Sequence, residues 1–323
     1  MNWLLLGLFR HKRFYNSLPS WKQKGNSSRA GKKPLIIAPM KMRLFLSLLV
    51  FWTMASFAQQ KPAYILYNAK GKKAGYEKML KALARQDFVL FGEFHNNPIS
   101  HWLQIEVTKS LFEKGELILA AEMFEQDNQQ GLDRYLASDA KTKAPDSTVR
   151  LWNNYKTDYA PLVDFAKANK LAFVASNIPR RYASMVAKGG FGALDALPGH
   201  EKAWIAPLPI PYDSTLPGYV KMLEMMGGHG GANMPKAQAI KDATMAHFSL
   251  KAWQPGKLLI HYNGAYHSDF HEGIMWYLLK ANPALKIATI TTVSQKDISK
   301  LEKGNMGRAD FIICVDAAMT TTY

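Results

Sequence analysis

A single cysteine in 323 residues excludes any disulfide within the chain. Cys314 follows Phe311-Ile312-Ile313 in a strand-like run, so it reads as a buried, inert thiol. Acidic residues are missing from positions 1–43, which carry ten Lys and Arg between Arg10 and Arg43. An apolar run long enough for a membrane span is missing too. Leu44 to Ala58 is almost wholly apolar but falls short of the roughly 20 residues a spanning helix needs. A basic flank, a short apolar core and the small-x-small ending Ser56-Phe57-Ala58 together describe a secretory signal peptide at 40–58. Its start falls at Met40 or Met42, and residues 1–39 read as an over-extended gene start. No cysteine stands at the cut, so no lipid is attached there, and the mature chain from Gln59 is expected to be exported and soluble. A membrane anchor with a basic cytoplasmic tail is the rival reading.

Strong charge of one sign is also absent once the leader is set aside. The whole chain is formally +16, but 31 Lys and Arg (41 less the ten above) against 25 acids leave +6. An excess of that size attracts anionic ligands without marking a nucleic-acid binder. The mature part holds no RNA-binding motif and no basic run interleaved with aromatics, so no nucleic-acid partner is expected. Its length suits one α/β domain, 59–323, with a small inserted subdomain.

What is present is organised around Phe88-Val89-Leu90-Phe91-Gly92-Glu93-Phe94-His95-Asn96-Asn97-Pro98. Four apolar residues reading into glycine suggest a parallel strand covered on both faces. Asn97-Pro98 opens a helix as N-cap and first residue. Glu93 and His95 therefore stand at the carboxyl end of a strand, where open α/β sheets keep their ligand sites. The plainer alternative is a turn whose Glu and His only cap helix ends. Leu117 to Ala121 repeats the arrangement, a buried strand running into Glu122. Leu258-Leu259-Ile260 repeats it again, ending in His261 to His271, and Gly264-x-x-His267 copies the Gly92-x-x-His95 spacing. His267 and His271, four apart, would share a helix face, with Asp269 nearby.

Between these strands, Pro98 to Glu113 carries apolar residues at Ile99, Leu103, Val107 and Leu111, a helical repeat with His101 in its first turn. Pro145 to Asn169 reads as helices, and Leu171 to Ala175 as a strand. Asn177 at that strand's end and Arg180 at the next helix start suit an anion, or serve as an ordinary cap and a solvent-facing arginine. Gly189 to Gly231 is rich in Gly and Pro and breaks the strand–helix alternation. It reads as a lid over the strand ends, approximately 189–234, with a reachable His229 and a soft apolar lining from Met222, Met225, Met226, Tyr212 and Tyr219. Core packing and a groove for a flat ligand are the two readings of those side chains. Pro235 to Trp253 is a long helix with Gln238, Asp242 and Met245 on nearly one face, and strands at Lys286–Thr292 and Asp310–Val315 close the sheet. The expected fold is α/β, a mostly parallel sheet with helices on both faces and a small helical lid subdomain.

Gly-Glu-Phe-His at 92–95, Glu-Met-Phe at 122–124, Asn-Ile-Pro-Arg at 177–180, the stretch from Gln238 to Ala246 and Gly264 to Asp269 resemble, in order and spacing, the ChaN family of haem-binding, iron-regulated proteins. That family groups with the Tiki proteases and erythromycin esterase-like proteins, which share paired Gly-x-x-His motifs and a glutamate. The resemblance spans roughly residues 75–295. It implies haem held at a homodimer interface by an axial tyrosine, and an outer-membrane haem-uptake receptor as a further partner. ChaN itself is a lipoprotein, and the missing cysteine here sets this chain apart, leaving periplasmic or membrane-associated placement.

Two functions follow. One is a periplasmic haem-binding protein of iron acquisition, since phenolate is a hard anionic ligand for ferric iron. Its cofactor-binding candidates are Tyr155, Tyr159, Tyr212 and Tyr219, with His229, and Arg180 meeting a propionate. The other is a hydrolase with a divalent metal ion. There Glu93, His95, Glu122 and His267 act as mixed N/O ligands or acid–base groups around an activated water.

Overall fold

The computed structural model describes residues 61–225 and 231–323. The expected over-extended start, the signal peptide at 40–58 and His229 lie outside the described residues. A seven-stranded sheet organises the described part: β1 (Tyr64–Asn68), β2 (Phe88–Glu93), β3 (Leu117–Glu125), β4 (Phe173–Asn177), β5 (Leu258–Gly264), β6 (Ile287–Gln295) and β7 (Phe311–Asp316). Their order across the sheet is β1-β7-β6-β2-β5-β3-β4, and every pairing is parallel except β1 with β7. Helices α1 (Tyr76–Leu83), α2 (Pro98–Phe112), α3 (Gln129–Ala137), α4 (Ala160–Ala168), α5 (Arg180–Gly189), α6 (Gly199–Lys202), α7 (Pro217–Met225), α8 (Met234–Ala252) and α9 (Ile274–Ala281) cover it.

The unbroken apolar run of β2 is explained by this layering. Val89 and Phe91 enter one apolar cluster with α1 to α4, while Phe88 and Leu90 enter another with α5, α8 and α9. Alternating side chains are thus buried on both faces, so no polar alternation develops. Between β2 and β3 the chain passes over the place that β5 later fills, and from β5 it crosses to β6 on β2's other side. The direction of winding reverses there, and the crevice at the carboxyl ends of β2 and β5 is where such sheets bind ligands.

Local chemistry fixes the turn that opens the crevice. Asn97 accepts from the backbone N–H groups of Ile99 and Ser100, both at 3.0 Å, and Pro98 follows as the first helical residue. The two glycines of the paired motifs are there for close approach. A Cβ on Gly92 would lie 2.9 Å from the Ala265 Cα and 3.0 Å from the Ile290 carbonyl oxygen. One on Gly264 would lie 2.9 Å from the His95 ring.

Two stretches depart from expectation. Residues 145–154 are not helical; a π-helical turn at Tyr155–Tyr159 leads into α4. Asp139 and Asp146 fold the preceding segment instead, accepting from the backbone N–H groups of Lys141, Thr142 and Thr148. Such local side-chain bonds compete with a helix. His267 and His271 do not share a helix face either, because they sit on separate 3-10 turns and Phe270 and His271 both have positive φ. Residues 190–225 hold short helices only, and their buried side chains, Leu194, Ile205, Ile210 and Tyr219 among them, join the cluster under α8 and α9. Cys314 is buried in β7.

Candidate functional site

Three strand ends and two helices build the floor of one cavity. At the end of β2, Glu93 is buried and saturated with donors. Its Oε1 accepts from His95 Nδ1 at 2.9 Å and from the Tyr159 hydroxyl at 2.8 Å, and Oε2 accepts from the Gln104 amide of α2. His95 is thereby held by its Nδ1, and its Nε2 has no hydrogen-bond partner among the described residues. Trp152 meets the imidazole edge-on, with ring centroids 5.0 Å apart. The His95 carbonyl accepts from His101 Nε2 and from the Asn154 amide, both at 3.0 Å, so the backbone under the ring is pinned as well. Burial pushes the His95 pKa down, but the hydrogen bond to Glu93 and the charges of Glu122 and Glu93 outweigh it and leave it raised.

At the end of β5 the turn Ala265–His267 carries the second imidazole into the interior. His267 lies between two buried carboxylates, Nε2 at 3.1 Å from Glu122 and Nδ1 at 2.5 Å from Asp242 of α8. Burial alone would lower its pKa, yet the charges of Glu122 and Asp242 and their hydrogen bonds bring it up to about 10. His267 is therefore a cation at neutral pH. Burial opposes ionisation of Glu122, but the His267 charge and bond, with the Gly264 N–H donated at 2.7 Å, hold its carboxyl well below the usual range. Asp242 is pushed up by burial, a shift that His267 only partly offsets. The Gln238 amide also lies 2.8 Å from His267 Nδ1, one turn before Asp242 on α8. With both imidazole nitrogens protonated, the amide oxygen is the atom that suits that position.

The two halves adjoin where the His95 ring rests on the Gly264 backbone. The structure thus brings Glu93, His95, Glu122 and His267 to one end of the parallel sheet. Above them opens a cavity of about 660 Å³, within the range of ligand sites. Its wall adds Met222 and Met225 from α7, Tyr266, Arg308 and Tyr323. Arg308 donates to Asp269 at 2.8 Å through Nη1, while its Nε is buried without a partner among the described residues.

The sequence profile of a family described as haem-binding uptake, Tiki superfamily, ChaN, matches residues 79–278. The chain belongs to that family. Among solved structures, ChaN of Campylobacter jejuni, described with cofacial haem binding, aligns at 19% identity and a TM-score of 0.57, covering 79% of this chain and 98% of that one. A Bacillus cereus protein aligns at 12% identity and a TM-score of 0.45, covering 84% and 97%. The toxin effector domain RRSP of Vibrio vulnificus aligns at 18% identity and a TM-score of 0.40, covering 76% and 38%. No curated protein sequence matches the chain.

The tyrosines expected from the ChaN resemblance are placed differently from the Glu/His cluster. Tyr155 is buried with its hydroxyl unpaired, and burial raises its pKa. Tyr159 is spent on Glu93, and Tyr219 donates to Asp242 at 3.4 Å; burial and then those carboxylates push both phenols up. Tyr212 packs between Phe191 and Tyr219. None of the four lines the cavity, whereas Tyr266 and Tyr323 do. Arg180 is exposed at the start of α5 and away from the cavity wall, and its neighbour Arg181 pairs with Asp127 at 2.8 Å. His271 lies 3.6 Å from Asp310, outside the cluster.

Among the described residues, no group of three or more His, Cys, Asp or Glu is arranged to hold a metal ion. The geometry agrees at His267, since Glu122 and Asp242 engage its two ring nitrogens at 3.1 and 2.5 Å and leave neither turned to an open position. Asp242, His101, Arg308 and Tyr323 are site residues that sequence reasoning did not assign. Asp242 left a signal in its helical spacing from Gln238 and His101 in its place in the first helical turn after β2, whereas Arg308 and Tyr323 left none.

Proposed function

We propose that this chain is an exported haem-binding protein of iron acquisition, with haem carried as cargo in the cavity above Glu93 and His95. Membership of the haem-binding uptake family carries the reading. The cavity fits such a cargo in kind. Tyr266, Met222 and Met225 at its wall offer apolar contact to a flat ring. The Arg308 guanidinium at the cavity wall offers a propionate a partner for a charge-assisted bond. Among the described residues no helix is long and apolar enough to cross a membrane. Export rests on the basic, apolar and small-residue order of positions 1–58, and mass spectrometry of exported material should show the chain starting at Gln59. A homodimer around paired haems is part of this proposal, in keeping with the cofacial haem described for the Campylobacter jejuni relative, and an outer-membrane haem-uptake receptor is the exchange partner that the family resemblance implies.

An absorption titration with hemin, paired with metal analysis of the purified mature chain, tests this. Saturable binding of about one hemin per chain is expected. No spectral change with hemin in several-fold excess would sink the reading.

A second reading, hydrolysis, is favoured by one observation: the Glu93–His95 pair has general-base form. Nδ1 is oriented by a carboxylate, Nε2 is unpaired and the side chain is 37% exposed to the cavity. Stoichiometric divalent metal with no hemin bound would put that reading first, in its metal-dependent form.

A further inference from the structure

After β7 the chain does not leave the molecule. Ala317 N–H donates to the Gln295 carbonyl at 3.1 Å, and Met319 N–H turns back to Asp316 at 2.9 Å. The segment then reaches the cavity, which Asn96 and Tyr323 both line. Thr322 N–H donates to the Asn96 carbonyl at 3.0 Å, and the Thr322 hydroxyl donates to Asp158 Oδ2 at 2.8 Å. Asp158 is buried in the π-helical turn and also accepts from Asn154 at 2.7 Å, with His101 Nε2 3.5 Å away. Asn154 and His101 are the two side chains that donate to the His95 carbonyl. A continuous set of hydrogen bonds thus runs from Thr322 to the backbone beneath His95.

Next to this anchor, Tyr323 lines the cavity with 64% of its surface open. The other cavity-lining phenol, Tyr266, spends its hydroxyl on the Gly218 carbonyl at 2.5 Å, whereas Tyr323 has no side-chain partner among the described residues. Bonds to a buried carboxylate are the strong kind, and they fix the backbone one residue before an aromatic ring left bare. An aromatic offers a large contact area while freezing only two torsions, which suits a wall that meets a ligand.

We propose that Tyr323 is a ligand-contacting residue of the cavity, held beside Glu93 and His95 by a strap that Thr322 fastens to Asn96 and Asp158. That the ligand is a flat porphyrin rests on the haem reading above; the placement of the strap at the cavity that His95 also lines does not. Burial and then the charges of Asp158 and Glu93 push the Tyr323 phenol up, so the ring meets a ligand as a neutral face. Thr322 is a positioning residue, acting through Tyr323.

The test uses the full mature chain, its Tyr323→Ala, Tyr323→Phe and Thr322→Val variants, and two readouts. Hemin affinity by absorption titration should fall about tenfold in Y323A, stay within about threefold of the parent in Y323F, and fall about threefold in T322V. Carbethoxylation of His95 by diethylpyrocarbonate, followed by peptide mapping, should run at least threefold faster in Y323A and T322V than in the parent. An unchanged His95 rate in Y323A overturns the proposal, and so does unchanged hemin affinity in Y323A where the parent binds hemin. A parent that binds no hemin removes the haem reading, and the His95 rate then decides the strap alone.

Discussion

Replacing His267 by Gln would leave Glu122 and Asp242 facing each other in the interior without the cation between them. Glu122 would keep the Gly264 N–H at 2.7 Å, and Asp242 the longer Tyr219 bond at 3.4 Å. Removing one partner of a buried ion pair costs about 3–5 kcal/mol, chiefly because the other charge stays buried. The two pairs share one imidazole, so their costs do not simply add. In a domain of this size each kcal/mol moves Tm by about 2–4 °C, which gives a fall of roughly 6–20 °C at pH 7 by circular dichroism. The pH dependence sharpens the test. His267 has a folded pKa of about 10, above the roughly 6.5 of an unfolded histidine. Its stabilisation is full below the unfolded value and is lost as pH rises towards 10. The parent should therefore lose Tm between pH 7 and 10, and H267Q should lack that component. Without the cation the two carboxylates have raised pKa values, so H267Q should regain stability as pH falls from 7 to 5. A Tm change under about 2 °C, with the alkaline slope intact, would refute a charged His267 lock.

Three further outcomes follow from the same geometry. The His95 imidazole should titrate above an ordinary histidine by NMR, and Glu93→Gln should bring it down, because burial is then opposed mainly by Glu122. Gly92→Ala should cost about 1–3 kcal/mol in denaturant unfolding, since its Cβ meets backbone atoms of β6 and of the turn after β5 that cannot yield cheaply. Gly264→Ala should cost less stability but lift the His95 ring off Glu93, abolishing the raised His95 pKa; an unchanged titration would show that the ring tolerates the methyl.

The strand-end motifs were readable because their signals are local. An apolar run, a glycine and a polar residue at fixed spacing say where a strand stops, and parallel pairing puts Glu93, Glu122 and His267 on one edge without further information. The tyrosines were not readable in that way. Tyr219 lies within the expected lid and Tyr159 precedes it in sequence, but the direction of a hydroxyl depends on which carboxylate is buried beside it, here Asp242 and Glu93. Asp242 itself appeared only as a helical neighbour of Gln238, since nothing local shows that α8 would face the end of β5. Arg308 and Tyr323 reach the cavity from connections after β6 and β7, whose paths depend on tertiary contacts. Residues 145–154 read as helix in the sequence but are not helical, because Asp146 accepts from the Thr148 N–H and holds a turn that competes with it.

The floor of the cavity is more elaborate than the carriage of an apolar ring requires. A hydrophobic pocket with one ligating oxygen and one arginine would suffice for haem, yet this chain buries Glu93, Glu122, Asp242 and His267 together. Buried charges add little stability over well-packed apolar groups, so their presence calls for another reason. The Glu122–His267–Asp242 set supplies one, because it ties the turn after β5 to α8 and fixes the Gly264 backbone on which the His95 ring rests. Of the two imidazoles of the paired motifs, His267 has both nitrogens engaged, and His95 is left with an unspent Nε2 at the cavity. A lock that merely holds the fold predicts that H267Q loses Tm while its residual folded fraction binds hemin normally below the transition. A lock that positions His95 predicts that hemin affinity and the His95 titration both change in that same folded fraction. Measuring both at 15 °C, well below the expected melting of the variant, separates structural ballast from a working floor.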